Sequence, residues 1–326
     1  MRELEGGVRR VTFPLPLGID HVHCYLLPGS DGWTAVDTGL GVPGAREVWA
    51  STLEEVDGPV RRIVVTHFHP DHVGAAADLA ELTGAPVFQG AEDYAQCVLT
   101  WGGDRVLERV PEYLHAHGVP DEEIATFRRE SQALGQMVRF AREPEPLAAG
   151  DTVAGWEVLH VPGHADGHLA LVRDGVLIAG DALLASITPN VGLYPDSRPD
   201  PLADYLSSLE LIERLSPRVA YGGHGVAIDD PAGRARELIS HHHERLEQAA
   251  AALGEQPQTA YALSFALWPE ELPTALRRFA LVEARAHVEY LVHRDEAARS
   301  DRDGLVQYST VSAAGATGSS STHGGG

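Results

Sequence analysis

The segment Thr66–His72 most constrains what this chain can fold into, because it places three histidines and one aspartate within six residues, 67–72. Its sequence, Thr-His-Phe-His-Pro-Asp-His, offers imidazole nitrogens and a carboxylate, which are ligands that suit Zn²⁺ and related divalent metals. The segment 62–65 just before it, apolar from Ile63 to Val65, predicts a buried strand. The ligands would then stand on the loop that leaves a strand end, where a rigid scaffold commonly presents chemistry. The segment therefore predicts a metal centre.

Three further candidate ligands lie later in the chain, and each directly follows a glycine at the end of an apolar run. They are His164, Asp181 and His224. Glycine permits the tight turns and close backbone approach that a compact site requires. One such pattern would be weak evidence, but three in this order after the histidine-rich segment indicate a single shared site.

These motifs resemble those of the metallo-β-lactamase superfamily of hydrolases, and the resemblance covers roughly residues 8–235. It implies an αββα sandwich, a four-layer α+β fold, with metals at one edge between two sheets. It also implies a role for every candidate ligand. One metal would be held by His67, His69 and His164, a second by Asp71, His72 and His224, and Asp181 would bridge the two.

The C-terminal part of the chain predicts three helices, over residues 232–253, 259–267 and 273–294, and then a hairpin that turns at 301–304. This order is typical of a winged helix, and it resembles the C-terminal domain of the β-lactamase-like-2 branch of the superfamily. Residues 240–245 take the place of that branch's H-R-x-x-R-E run, with histidine instead of the first arginine. We therefore predict a metal-hydrolase domain over 1–235, a winged-helix-like domain over 236–310 and a disordered, Ala/Gly/Ser/Thr-rich tail over 311–326.

Residues 91–146 are longer than a simple connection needs, and their periodic apolar positions predict two or three helices over the active-site edge. These helices would form a lid or substrate wall, or else a stabilising flap without ligand contact. We expect His115 and His117, within this insertion, to be exposed helix residues. The run 241–243 is a triple histidine on a predicted helix. Successive helical residues point about 100° apart, so the three cannot chelate one ion, and we expect a solvated face.

Two single residues have two interpretations each. Asp37, in a Val-Asp-Thr-Gly segment that resembles the second strand of the family, would either orient the metal loop by hydrogen bonding or simply end a strand. Tyr194, on the loop after Asp181, would either present its hydroxyl to substrate or pack at the interface between the domains.

The balance of charge disfavours a polyanionic substrate. Lys and Arg number 25 against 47 Asp and Glu, a formal net charge of −22, which repels phosphates at long range without excluding a local basic groove. No apolar run approaches the ~18 residues of a membrane span, and the N-terminus has no signal-peptide core. Cys24 and Cys97 lack ligand motifs, so we expect buried thiols rather than a disulfide. These features predict a cytoplasmic protein without a membrane partner.

Together with the motifs, the resemblance implies a dinuclear metal-dependent hydrolase that holds two Zn²⁺, with Fe or Mn as alternative metals. A metal-bridging hydroxide would attack a small ester, thioester, lactone or lactam, and Asp71 would accept and return a proton. One alternative is an endoribonuclease or other phosphodiesterase of the same fold. Another is a mononuclear iron oxidoreductase of the persulfide-dioxygenase type, against which the intact second ligand set argues. A homodimer remains open.

Overall fold

The computed structural model describes residues 1–16, 18–42, 44–103 and 105–311 of the 326-residue chain. The N-terminal strands are β1 (Arg2–Glu3), β2 (Arg9–Pro14), β3 (His21–Gly29), β4 (Gly32–Val36), β5 (Val60–Val65), β6 (Val87–Gln89) and β7 (Glu145–Pro146), with a short 3-10 helix at Glu5–Gly7. They form a seven-stranded sheet in this order. Pairing is antiparallel from β1 to β4 and parallel from β4 to β7.

A second sheet contains the next five strands. They are β8 (Thr152–Val153), β9 (Trp156–His160), β10 (Leu169–Arg173), β11 (Val176–Gly180) and β12 (Val219–Gly222). Their order across the sheet is β12-β11-β10-β9-β8. Only the β11–β12 pair among these five is parallel, so the carboxyl ends of those two strands lie at the same edge.

Helices cover the outer face of each sheet and fill the long insertion. They are α1 (Ala45–Glu55), α2 (Pro70–Val73), α3 (Ala76–Thr83), α4 (Ala91–Trp101), α5 (Arg105–Ala116), α6 (Asp121–Gly135), α7 (Pro201–Leu215) and α8 (Pro231–Ala252). The predicted helix over 232–253 is confirmed by α8. Helices α2 and α3 are separated by Gly74 and Ala75.

The alternation of side chains along the strands produces four layers. On β5, Ile63 and Val65 pack in one hydrophobic cluster with helical residues such as Trp49 and Leu79. The intervening Val64 points the other way, into a cluster that lies between the two sheets. Because successive strand residues face opposite sides, the three consecutive apolar residues 63–65 are covered on both faces of the strand. The predicted αββα sandwich is therefore confirmed.

The C-terminal region adds β13 (Gln258–Thr259), α9 (Ala260–Leu267), α10 (Thr274–Val292), β14 (Ala297–Arg302) and β15 (Leu305–Thr310). Its strands form a separate sheet in the order β13-β15-β14. The predicted hairpin is confirmed, and its two turn residues, Asp303 and Gly304, have φ values of 52° and 78°. Positive φ at both central positions is the conformation that favours Asp-Gly in a two-residue turn.

The predicted division into domains and the winged-helix assignment both stay predictions. Helix α8 runs continuously across the predicted boundary at residue 235 and packs against both α7 and α10. Residues 312–326 of the predicted tail lie outside the described residues.

The insertion contains three helices, α4 to α6, as its periodicity predicted. Leu114 of α5 and Phe127 of α6 are buried in the same cluster as Leu281 of α10. The expectation for His117 is wrong: this side chain is buried, and it lies just beyond the end of α5. Its backbone carbonyl accepts a hydrogen bond from the amide of Tyr261 at the start of α9, so tertiary packing against the C-terminal region covers it.

The expectation of a solvated histidine face on α8 is wrong for one of its three residues. His243 is exposed and His241 is partly buried, but His242 is completely buried. Its ring stacks on that of His287 from α10, with the centroids 5.3 Å apart. Helix α8 is covered on this side because α10 packs across it.

Two further expectations concern the thiols and membrane-spanning helices. Cys24 and Cys97 are both buried and free, as expected. Among the residues that the structure describes, no helix combines the length and the apolar character needed to cross a bilayer.

A close approach between α7 and the loop after β9 fixes the position of His164. Gly163 has a φ of 127°, and a Cβ placed on it would lie 2.3 Å from Cβ of Tyr205 on α7. The hydroxyl of Ser208, one turn further along α7, donates to the carbonyl of Pro162 at 2.8 Å. Only glycine fits at this position. Helix α7 therefore packs directly against the backbone of the loop that carries His164.

We expect Gly163→Ala to lower the free energy of unfolding by on the order of 3 kcal/mol, because both the backbone conformation and the contact with Tyr205 resist a methyl group. Gly58→Ala is the matched control, since Gly58 also has a positive φ, 105°, but has open space at its Cβ position. The control should lose only about 1–2 kcal/mol. Urea unfolding with a metal chelator present measures both, and equal losses would contradict the steric argument.

Candidate metal centre

Five of the seven predicted ligands lie just beyond the ends of strands. His67 and His69 follow β5, His164 follows β9, Asp181 follows β11 and His224 follows β12. The sequence placed Asp71 and His72 on a loop, but they belong to the one-turn helix α2. Pro70 is the first residue of that helix, where its fixed φ favours helix formation and its missing N–H costs no hydrogen bond.

One group of ligands consists of His67, His69 and His164, as the resemblance implied. Each residue offers one ligand atom, and the three atoms lie within 4.8 Å of one another. Nδ1 of His69 lies 2.8 Å from Nε2 of His164. Nitrogen lone pairs that converge in this way are suited to share one divalent ion.

The second group consists of Asp71, His72 and His224, whose ligand atoms also lie within 4.8 Å of one another. Nε2 of His224 is 3.4 Å from Oδ2 of Asp71, and Nε2 of His72 is 3.9 Å from the same oxygen. The three side chains therefore converge on a second position, next to the first.

Asp181 lies between the two groups. Its Oδ2 is 3.2 Å from Nε2 of His224 and 3.8 Å from Nε2 of His164, one ligand from each group. Its Oδ1 is 3.5 Å from Nε2 of His72. The carboxylate thus reaches ligands of both groups, which is the arrangement that a bridging ligand requires.

The donor set fits a metal because several of its buried atoms have no other partner. Nε2 of His67, Nε2 of His72 and Oδ1 of Asp181 are buried without a hydrogen bond. Buried polar atoms almost always have a partner, so unsatisfied atoms that face one another indicate an ion-binding site. Gly223 leaves room for them, since a Cβ there would lie 2.3 Å from Oδ1 of Asp181.

The ring nitrogen that does not face the centre is hydrogen-bonded in four of the histidines. These bonds fix the ring orientation and leave the other nitrogen free to ligate. The pairs are His67 Nδ1 with Thr66 Oγ1 (3.0 Å), His72 Nδ1 with Asp37 Oδ2 (2.8 Å), His164 Nδ1 with the Asn190 carbonyl (2.8 Å) and His224 Nδ1 with the His21 carbonyl (2.6 Å).

Asp37 orients the metal loop, which decides between its two interpretations. The backbone N–H of Thr66 donates to Oδ1 of Asp37 at 2.8 Å, and the hydroxyl of Thr66 donates to Oδ2 at 2.8 Å. His72 bonds to the same Oδ2, so one carboxylate holds the loop at both ends. Asp37 is buried and has a φ of 61°, a left-handed conformation that aspartate tolerates better than most residues.

Burial and neighbouring charges divide the histidines into two electrostatic classes. Burial and the adjacent imidazoles lower the pKa of His67 and His69 well below the ordinary value. Burial also opposes the charged form of His72, but the carboxylates of Asp181, Asp37 and Asp71 outweigh it and raise the pKa of His72 well above the ordinary value. The carboxylates therefore favour a cation at the second group.

The sequence analysis missed two buried residues that hold the ligands. His168 stacks on His67 with ring centroids 4.6 Å apart, and its Nε2 accepts the backbone N–H of Asp181 at 3.1 Å. Its signal was a second histidine four residues after His164. Asp93 on α4 accepts the backbone N–H of Phe68 at 2.9 Å, so the insertion contacts the metal loop directly. No sequence pattern joined Asp93 to that loop.

Tyr194 lies at the contact between its loop and α10. Burial raises the pKa of Tyr194 to about 12, and the nearby charged side chains are Arg278 and Glu283 of α10. The neighbouring Leu193 donates its backbone N–H to the carbonyl of Val282 on that helix. This position agrees with a packed interface tyrosine, and the substrate-facing role stays a prediction.

Comparison with known proteins shows that this chain matches two family models and resembles solved structures. A family model described as "Metallo-beta-lactamase superfamily" matches residues 17–224, and one described as "Metallo-beta-lactamase-like, C-terminal domain" matches residues 246–311. A solved metallo-beta-lactamase family protein from Thermus thermophilus is 37% identical, with a TM-score of 0.82 over 94% of this chain and 99% of that one.

The names of two relatives agree with these matches. The probable metallo-hydrolase YqjP of Bacillus subtilis is 27% identical over 91% of this chain and 96% of its own length. The beta-lactamase-like protein 2 homolog of Drosophila melanogaster is 26% identical over 72% of this chain and 69% of its own length. These matches confirm the resemblance that the sequence motifs indicated, including that to the β-lactamase-like-2 branch.

We expect Asp37→Asn to weaken metal affinity roughly 10–100-fold with the fold retained, because asparagine has one acceptor oxygen where three donors converge. Competition with a chromophoric chelator measures the affinity. Asp31→Asn is the control, since Asp31 is an exposed residue that pairs with Arg62. Unchanged affinity in Asp37→Asn would contradict the orienting role.

Proposed function

Because this chain belongs to the metallo-beta-lactamase superfamily and is a metal-dependent hydrolase, we propose that it holds two Zn²⁺ and cleaves a small ester, thioester, lactone or lactam. The observation that carries the proposal is the convergence of two complete ligand groups on the shared carboxylate of Asp181. Five imidazoles and two carboxylates form a ligand set that suits zinc, with Fe or Mn as alternative metals.

Two ions bound at these positions would lower the pKa of a coordinated water and polarise the scissile carbonyl. The protein itself supplies the geometry and the proton transfer. The fixed rings of His72, His164 and His224 keep the ligand atoms in place without rearrangement during the reaction, because their outer nitrogens are already hydrogen-bonded.

Asp71 is the residue to which we assign proton transfer. Its Oδ2 faces Nε2 of His224, which leaves Oδ1 to accept a proton as the nucleophile forms and to return it to the leaving group. The side chain is 15% exposed, whereas that of His72 beside it is fully buried, so Asp71 lies at the substrate side of the centre.

The loops that carry the ligands favour a substrate with an apolar part. Val226, two residues beyond His224, and Ile187, on the loop after Asp181, are exposed large hydrophobic side chains. The two loops approach each other, since a Cβ on Gly225 would lie 3.9 Å from Oγ of Ser186. An acyl chain or ring would find apolar surface here while its carbonyl faces the metals.

A phosphodiester substrate has less support. Arg234 lies against the loop after Asp181, but its guanidinium donates to the carbonyls of Leu184 and Ile187 and to Glu237. That charge is already engaged, and the net charge of −22 repels a polyanion. The complete second ligand group likewise argues against a mononuclear iron centre of the persulfide-dioxygenase type.

We expect the metal-loaded enzyme to cleave at least one member of a panel that contains an acyl thioester, a lactone, a β-lactam and single-stranded RNA. Asp71→Ala should lower kcat/KM by roughly 10²–10⁴-fold, because it removes the proton acceptor and one ligand. Asp229→Ala is the control, since Asp229 is an exposed aspartate five residues beyond His224.

The panel also decides between the candidate chemistries. Carbonyl cleavage that is lost in Asp71→Ala supports the proposed function. Cleavage of RNA alone would overturn the argument from charge, and an Asp71→Ala variant as active as the wild type would refute the assigned role of Asp71.

A further inference from the structure

A second cluster of metal-ligating side chains lies where α8 packs against α10. It consists of His242 from α8 and of Glu283 and His287 from α10. Glu283 and His287 are four residues apart, so they lie on the same face of their helix. Each of the three residues offers one ligand atom, and these atoms lie within 4.8 Å of one another.

The hydrogen bonds of His287 prepare one of its nitrogens as a ligand. Nδ1 of His287 lies 2.8 Å from the backbone carbonyl of Glu283, so it carries the proton and donates. Nε2 therefore carries a lone pair, and it points at Nδ1 of His242, 3.2 Å away. Metal-ligating histidines typically donate their other ring N–H in this way. The same arrangement occurs in the metal centre at His164 and His224.

Hydrogen bonding within the protein satisfies only one ring nitrogen of His242. The side chain is 0% exposed, its Nδ1 faces Nε2 of His287, and its Nε2 has no hydrogen-bond partner. An unpartnered polar atom in the interior costs about 1–3 kcal/mol, so this imidazole is buried at a cost that coordination of an ion would help to offset. The rings of Tyr205 and His287 enclose the imidazole on two sides, with centroids 5.4 Å and 5.3 Å away.

The electrostatic state of the cluster suits a cation. Burial lowers the pKa of His242 to about 2 and that of His287 to about 4, so both imidazoles are neutral and keep their lone pairs. Glu283 is largely buried, and burial raises its pKa to about 7. The nearby guanidinium of Arg245 repels a cation, whereas the carboxylate of Glu283 attracts one.

We propose that His242, Glu283 and His287 form a third metal site, for a divalent first-row transition ion such as Zn²⁺. Two neutral imidazole nitrogens and one carboxylate oxygen are a ligand set typical of this class of ion. The site is separate from the dinuclear centre and shares no ligand with it. An ion there would fasten α10 to α8, whose His242 lies between the two matched stretches, 17–224 and 246–311.

The proposed site would also contact the metal centre indirectly through Asn190. The side-chain amide of Asn190 donates to Oε2 of Glu283 at 2.8 Å, while its backbone carbonyl accepts from Nδ1 of His164. An ion bound to Glu283 would therefore stiffen the loop that orients His164.

Anomalous diffraction from crystals of the full chain soaked in Zn²⁺, collected on both sides of the zinc absorption edge, tests the site directly. We expect a peak enclosed by His242, Glu283 and His287, in addition to those at the dinuclear centre. Peaks at the dinuclear centre alone would overturn this inference and leave the proposed function intact. A peak at the third site alone would support the inference and argue against the proposed dinuclear function.

Metal content after dialysis against Zn²⁺ provides the solution test. Glu283→Gln and His287→Ala should each lose about one equivalent of zinc per chain relative to the wild type. Glu283→Gln is nearly isosteric and keeps an acceptor for Asn190, so it remains informative if His287→Ala does not fold. His243→Ala, an exposed histidine on the same helix, is the control and should lose none. Equal zinc content in wild type and Glu283→Gln would refute the site.

Discussion

The buried carboxylate of Asp37 is the interaction on which the metal centre depends. It follows β4, and it binds the backbone and hydroxyl of Thr66 at the end of β5 and the ring of His72 on α2. The hydroxyl of Thr66 in turn accepts a hydrogen bond from Nδ1 of His67. The carboxylate of Asp37 therefore positions His67 of the first group through Thr66 and His72 of the second group directly. A buried carboxylate is stable only when its oxygens accept hydrogen bonds. Here the donors are Thr66 and His72, which both belong to the metal loop.

Around this carboxylate the centre is assembled from distant parts of the chain. The two sheets supply the ligands at their strand ends, and a separate set of contacts supplies their orientation. Asp93 holds the backbone of the metal loop from the insertion, and His21 holds His224 from β3. Asn190 connects His164 to Glu283 of α10. The insertion and the C-terminal helices therefore act on the geometry of the site although they contribute no ligand to its two groups.

Much of the fold was predictable because strand and turn signals are local. The apolar residues 63–65 before Thr66 indicated a buried strand, and this end of β5 is covered on both faces. The Asp303-Gly304 turn followed from the positive φ that its residues tolerate. The errors concern side chains whose surroundings come from elsewhere. His117 and His242 read as exposed helix residues, but α9 and α10 cover them.

The sequence by itself determined the seven candidate ligands, since ligand chemistry belongs to the residue type and the motifs place these residues after strands, and the resemblance to the family implied their division into two groups. The same resemblance implied the layered architecture. Only the tertiary structure decided which groups orient those ligands and which histidines are buried. Asn190 and Glu283 are 93 positions apart, and His224 and His21 are 203 apart. No local pattern encodes such pairs, because they form only when packing brings separate elements together.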